Sequence, residues 1–532
     1  MTQAKPTAML YAFLVTSVLA VHLQAAEPGN NAADRKLVLA HMMAGCTAAC
    51  AWPEEEYVAN WPAKPTVEGA SHWKRRVGGV LPEMEKYRLD PLGAARADIQ
   101  LGKKAGVDAF GMFHSGYIVN SQFARQTESY WQAAREDGEF KLYPEIWTLA
   151  TEDRIGRTTE EMALIREQYD EAWLRIDGKR VVFYAYQHGK APLPEGVSPG
   201  EAFERIFAPL GGRDEVYFCL LSAAGPVPGY ASPPPPSKEW LDLADALNFF
   251  WSLSYGDDLT VMPAMDVLAE TLNKELWMRA VPSFFQHRLG RKVGGRLHER
   301  LGMAAYYDNW MRIISRQPRV AYVTTWNDHT EDSGIADINH GHAYVELTRF
   351  FAAWYKTGKR PPVENEQVLL FHHPQLTEQP MLLPPGCKPA GRYNWNATPP
   401  TDYLAVVAML EEPAQVRIDL SAAGRYETIA TLRFPAGVNF WLAYHPLADA
   451  DDSAIRNMDP NTPEPKFAPV YPEERPDFFI TELTSALKDR DVYLVVSRDG
   501  DVTHSFRSRS SIAGTAAKAN LCTIGNVFVL GE

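Results

Sequence analysis

One pattern governs what this chain can fold into. From about residue 36 to residue 356, short apolar runs alternate with amphipathic helical stretches. The apolar runs are Lys36–His41, Val107–Phe113, Phe140–Trp147, Arg180–Tyr186, Val216–Leu221, Ala246–Trp251, Trp277–Phe285 and Val320–Trp326. Ala95–Ala105 and Gly302–Arg316 carry helical spacing, and Gly106 stops the first of these. Repeated strand–helix alternation means parallel strands covered by helices. Eight such units over about 320 residues suit a (β/α)8 barrel of the TIM type with inserted loops. A doubly wound open sheet is the alternative, but no glycine-rich phosphate-binding turn follows any strand. Gly78-Gly79 and Gly294-Gly295 lack that setting.

After Arg360-Pro361-Pro362 the period changes. Val368–Phe371, Leu404–Ala408, Val416–Leu420, Thr428–Ala430, Val492–Val496 and Val527–Leu530 are short strands divided by turns. They predict a C-terminal antiparallel β-sandwich. Such a module binds carbohydrate or packs on the barrel, and packing is the favoured reading. The domains are therefore expected as a signal peptide over 1–26, a barrel over 27–360 and a sandwich over 361–532. The first of these rests on Lys5, an apolar run from Met9 to Val21 and the small-residue ending Ala25-Ala26. The run is short for a spanning helix, so the expectation is a secreted or periplasmic protein with no membrane contact once the signal is removed. Pro233–Pro236 reads as a stiff surface segment.

Composition removes several function classes. A formal net charge of −13 without a basic run argues against nucleic-acid binding. No CxxC pair and no HExxH helix is present, so a zinc enzyme is not suggested and no cofactor is implied. Export permits disulfides, and Cys46 with Cys50, or Cys387 with Cys522, are candidate pairs that spacing alone does not prove. Cys219 lies in an apolar run and reads as a buried thiol.

Barrel enzymes place their chemistry at the C-terminal ends of the strands. There this sequence sets His41, then His114 and Tyr117, then Glu145 and Trp147, then Gln187 and His188. Trp251, then Gln286, His287 and Arg288, and finally Trp326, Asn327, Asp328, His329 and Glu331 complete the ring. Carboxylates mixed with indoles suit glycosidic cleavage, where one carboxyl protonates the leaving oxygen and another activates water or attacks. Aromatic faces stack on sugars. Asp328 and Glu331, three positions apart, are the sharpest pair. The plainer alternative is that Asp328 caps a helix and Glu331 completes a capping box. Glu145 is the competing carboxylate, equally readable as a buried paired group. A metal site of Asp328, His329, His340 and His342 matches no familiar ligand spacing.

Four stretches carry a resemblance. They are Leu39-Ala40-His41-Met42-Met43, the segment Asp98–Phe110, Val323-Thr324-Thr325-Trp326-Asn327-Asp328-His329-Thr330-Glu331, and Phe371-His372-His373-Pro374. In this order they resemble glycoside hydrolase family 71, the α-1,3-glucanases often called mutanases. The resemblance implies a (β/α)8 barrel with a β-sandwich and endo-hydrolysis of an α-1,3-glucan with inversion. It implies Asp328 as the base that activates water and Glu331 as the acid. His41, His114, Trp147, Trp251, His287, Trp326 and Asn327 are then expected to bind a polysaccharide or oligosaccharide. The chain departs from the family at His329-Thr330, where Tyr-Gly is usual, and at Asp332-Ser333-Gly334. Hydrolysis of another α-linked glycan such as α-mannan, or glycan binding without turnover, is the alternative function. The sequence sets no oligomeric state.

Overall fold

The computed structural model describes residues 35–43, 90–114, 124–185, 193–221, 237–249, 255–286, 296–297, 300–328, 332–336, 340–374, 402–444, 476–485, 487, 489–512 and 523–531. The signal-peptide segment, Pro233–Pro236, both double glycines and Cys46, Cys50, Cys387 and Cys522 lie outside the described residues.

Eight parallel strands close on themselves. They are β1 (Leu37–Met42), β2 (Ala109–His114), β3 (Lys141–Ile146), β5 (Lys179–Tyr184), β6 (Val216–Leu221), β7 (Ala246–Asn248), β8 (Glu275–Ala280) and β11 (Val320–Val323). A two-residue strand β4 (Arg175–Ile176) forms a hairpin with β5. Neighbouring strands pair around the ring, and β3 meets β5 while β11 meets β1 to shut it. Two further strands, β9 (Phe285–Gln286) and β10 (Arg296–Leu297), make a small antiparallel ribbon. The near-continuous apolar character of β1 and β6, buried at every position, reflects burial on both the lumen and helix faces.

Helices α1 (Pro91–Lys104), α2 (Ala124–Asp137), α3 (Glu152–Tyr169), α4 (Pro199–Phe207), α5 (Lys238–Leu243), α6 (Tyr255–Thr271), α7 (Ala304–Arg316) and α8 (Ala343–Thr357) separate and follow the strands. Local chemistry starts and stops them. Asp90 accepts the Gly93 N–H at 2.9 Å with Pro91 in the first turn, and Thr151 and Ser198 cap α3 and α4 in the same way. Gly358, with φ +69, ends α8 in the left-handed conformation.

The C-terminal region forms two sheets. One orders β17 (Phe478–Glu482), β16 (Gly437–Tyr444), β13 (Tyr403–Leu410), β12 (Gln367–His372) and β20 (Ile524–Val529). The other orders β15 (Arg425–Phe434), β14 (Ala414–Ala422), β18 (Asp491–Arg498) and β19 (Asp501–Arg507). Pairing is antiparallel except between β16 and β17.

Period-2 alternation explains how the sandwich sits on the barrel. Val368, Leu370, Leu404, Val406 and Trp441 face Val416, Ile418, Leu494 and Val496 of the second sheet. The intervening Leu369, Phe371, Ala405, Val407, Phe440 and Leu442 join the barrel's own core. Tyr307 of α7 meets Phe440 at 4.6 Å and Phe478 at 5.1 Å, and Phe351 of α8 stacks on Phe440 at 6.1 Å. The five-stranded sheet is thus buried on both faces, which accounts for its apolar runs. Packing on the barrel, the favoured reading of this module, is what the first sheet does.

Candidate active site at the barrel mouth

The barrel floor is aromatic. Trp277 packs against Tyr143, Phe183, Tyr217 and Tyr322 with ring centroids 6.0–6.3 Å apart, and Phe183 stacks on Tyr322 at 5.6 Å. These five rings point inward and pack against one another across the lumen.

One step toward the C-terminal ends, the lumen turns polar. Glu145 of β3 is fully buried. Its Oε2 pairs with His41 Nδ1 of β1, and its Oε1 accepts the Tyr322 hydroxyl of β11 at 2.8 Å. Glycine makes the room: a Cβ on Gly111 of β2 would lie 1.8 Å from Glu145 Oε1. Arg279 of β8 is in register with Tyr322, so it shares the inward face, and its guanidinium lies 5.1 Å from the Phe249 ring centre. Burial first, and then the negative charge of Glu145, hold the Tyr143 and Tyr322 hydroxyls far above their ordinary range. Both therefore remain hydrogen-bond donors at neutral pH. The same two causes push up the Cys219 thiol, which is free and buried as expected.

Above this network stands an aromatic wall. Half-buried Trp147 and Phe113 lie 5.1 Å apart, and the His41 ring is 5.7 Å from the first and 6.2 Å from the second. His41 and Trp147, expected apart in sequence as substrate contacts, are brought together here.

The turn leaving β11 folds back beside them. Trp326 N–H donates to His41 O at 2.7 Å, extending the β1–β11 pairing to the mouth. Asn327 clamps the exit of β1: its Oδ1 accepts Met43 N–H at 2.8 Å and its Nδ2 donates to Met43 O at 3.2 Å. Asp328 is 6% exposed, and its N–H donates to Thr325 Oγ1 at 2.8 Å. Ile335 N–H and Ala336 N–H return to Thr325 O and Trp326 O at 3.0 and 2.9 Å. Gly334 permits the fold-back, because a Cβ there would lie 2.9 Å from Asn327 Cα. A buried carboxylate is thereby carried on a cross-braced turn that follows the last barrel strand.

Two expectations change. Trp326 does not offer its indole to a ligand: it is fully buried and lies 4.8 Å from Phe110, which itself packs on Phe140 and over Gly102 of α1. The ring therefore belongs to the layer between strands and helices. The Asn327 amide is spent on the Met43 backbone, so this side chain positions the turn. Trp251, His287, His329 and Glu331 lie outside the described residues, as does the His114 side chain. Of the metal alternative, His340 instead contacts Gly334 O at 2.8 Å, and no group of three metal-ligating side chains occurs among the described residues.

In the sequence Glu145 was legible as the competing carboxylate and equally as a buried paired group. Tyr322 and Arg279 were passed over, although the inward spacing Trp277, Arg279 in an apolar strand was a usable signal.

No protein-family model matches the chain, and no curated protein does. Among solved structures it is similar to a glycoside hydrolase family 99 endo-α-mannosidase from Bacteroides thetaiotaomicron, at 16% identity and TM-score 0.38, covering 51% of this chain and 81% of that one. It is similar to a glucosidase from Croceicoccus marinus at 9% identity and TM-score 0.28, covering 65% and 88%. A Ruminococcus gnavus family 29 fucosidase follows at 8% identity and TM-score 0.28, covering 76% and 86%. These likenesses are distant, and neither a substrate nor a residue role passes from them to this chain. The resemblance to family 71 rests on the four quoted stretches alone.

Proposed function

We propose that this chain is an exported glycoside hydrolase acting on an α-linked glucan, with α-1,3-glucan as the first substrate. The observation that carries the reading is Asp328: a buried carboxylate on the braced turn after the last strand of a closed barrel. That turn is hydrogen-bonded to His41, whose ring belongs to the polar lumen. Barrel enzymes work at this face.

In the proposed reaction Asp328 takes a proton from water as it attacks the anomeric carbon. Glu331 protonates the departing oxygen, and the single displacement by water from the opposite face inverts the configuration. Trp147, Phe113 and His41 form an apolar-faced wall for a sugar ring. Glu145 fixes the orientation of His41 from below.

The test is reducing-end release by the purified protein from α-1,3-, α-1,4- and α-1,6-glucans and α-mannan. Asp328→Asn and Glu331→Gln are run alongside. Release from α-1,3-glucan that falls by at least about a hundredfold in each variant supports the reading. Release that survives either substitution removes that residue from its role. Silence across the panel together with retention on one polymer marks a binding protein instead.

A further inference from the structure

The turn that carries Asp328 is tied to the sandwich as well as to the barrel. Asp332, four positions after Asp328, is 1% exposed and holds φ +54. Its Oδ2 accepts the backbone N–H of Thr523 at 2.9 Å, across 191 positions of sequence. Thr523 immediately precedes β20. Ser283, just beyond β8, donates to the same carboxylate at 3.2 Å, and Ser283 Oγ also lies 3.3 Å from His340 Nε2. His340 Nε2 is 3.5 Å from Asp332 Oδ1, and its ring packs edge-on to Tyr344 at 4.8 Å. A second seam runs parallel to this one. A Cβ on Gly525 of β20 would lie 2.4 Å from His340 O, and one on Gly341 would lie 2.8 Å from Gly525 O. Two backbones meet there with no side chain between them.

We propose that Asp332 is a positioning residue through which strand β20 of the sandwich sets the geometry of the Asp328 turn. The proposal rests on the reading of Asp328 as a reacting group. The carboxylate suits this task for three reasons. It is buried, so its bonds to Thr523 and Ser283 are not shared with bulk water. It reaches two elements of the barrel and one of the sandwich at once. Its own backbone lies on the turn, so a shift at Thr523 is handed on to Asp328 through four peptide units. Misplacing a reacting group by about 1 Å costs up to about a hundredfold in rate.

Asp332→Gly removes the carboxylate while tolerating the positive φ. Asp332→Asn keeps an acceptor for the Thr523 N–H and tolerates the same backbone. Thr523→Pro deletes the donor from the sandwich side, and Thr523→Val keeps it. Turnover is measured on the glycan the parent cleaves, with hydrogen exchange of residues 324–336 followed in parallel. Asp332→Gly and Thr523→Pro are expected to lower kcat at least about tenfold with KM held within about threefold, and to speed exchange in the turn. Asp332→Asn and Thr523→Val are expected to stay within about threefold of the parent on both readouts. An Asp332→Gly protein whose kcat stays within about twofold, or whose turn exchanges at the parent rate, overturns the proposal. Failure of the site reading looks different: Asp328→Asn then keeps its turnover. If the parent cleaves nothing, the exchange measurement alone decides whether β20 holds the turn.

Discussion

Gly111→Ala is the sharpest perturbation available, because its expected sign is the reverse of the usual one. Replacing glycine by alanine at a compatible position stabilises a protein by about 0.4–1 kcal/mol through the unfolded state. At Gly111 the new methyl would lie 1.8 Å from Glu145 Oε1, 2.6 Å from Glu145 Cδ and 2.6 Å from Tyr143 Cζ. To regain ordinary contact the carboxylate must withdraw by about 1.5 Å or more. The Tyr322 hydroxyl, now 2.8 Å away, then loses its acceptor, and His41 loses its partner on the far oxygen. Overpacking costs about 1–3 kcal/mol. Each buried polar group left unmatched adds about 1–3 kcal/mol. Some of this is relieved by relaxation, and a net loss of about 2–5 kcal/mol is expected. For a cooperative barrel of about 320 residues that corresponds to a fall in Tm of about 3–7 °C. Thermal and urea unfolding of parent and variant measure it directly. The companion experiment places Gly111→Ala in a Glu145→Ala background, where the carboxylate clash is gone. There its cost should shrink by about 1–3 kcal/mol. A variant as stable as the parent, or additive costs in the double mutant, would refute the argument that Gly111 exists to seat the Glu145 carboxylate.

Three more outcomes are expected. Trp326→Ala should lower stability by about 3–5 kcal/mol through the lost core packing, read by urea unfolding, while the folded fraction binds glycan as the parent does. His372 is buried between His373 O and Ser508 Oγ, each 2.8 Å away, and burial lowers its pKa to about 4. Above the unfolded value of 6.5 the group has no effect. As pH falls from 6.5 toward 4 the unfolded chain takes up a proton that the folded one refuses, so roughly 3 kcal/mol is lost across that window. Unfolding measured from pH 7 to pH 4 should show this slope, and His372→Gln should flatten it. Gly525→Ala, whose Cβ would meet His340 O at 2.4 Å, should destabilise the protein by about 1–3 kcal/mol and speed hydrogen exchange at residues 340–344.

The barrel was readable because its parallel strands are buried on two sides. β1, β6 and β8 each stand in an apolar run, and alternation with helices fixed their order. β19 was not readable: it lies at a sheet edge with exposed residues at five of its seven positions, so it carries little apolar signal. β16 was passed over although it is apolar, because its partners β13 and β17 are distant in sequence and no short hairpin announces it. At the candidate site, Asp328 and His41 were singled out from their positions at or just after strand ends. Trp326 was misread because β11 ends at Val323, beyond which strand alternation no longer tells which way a side chain points. Asp332 was seen only as a departure from a family pattern. Its meaning depends on an N–H 191 positions away, and nothing in the local sequence reports that.

The clasp between Asp332 and Thr523 also bears on synthesis. A ribosome releases the eight barrel strands and the Asp328 turn long before it releases β20. Until then the first sandwich strand, β12, has an open edge where β20 will pair, and the turn has no anchor on that side. Such long-range pairing is slow to form, because a large loop must close before the contact is made. A nascent chain therefore carries the Asp328 turn for many seconds before Thr523 can hold it.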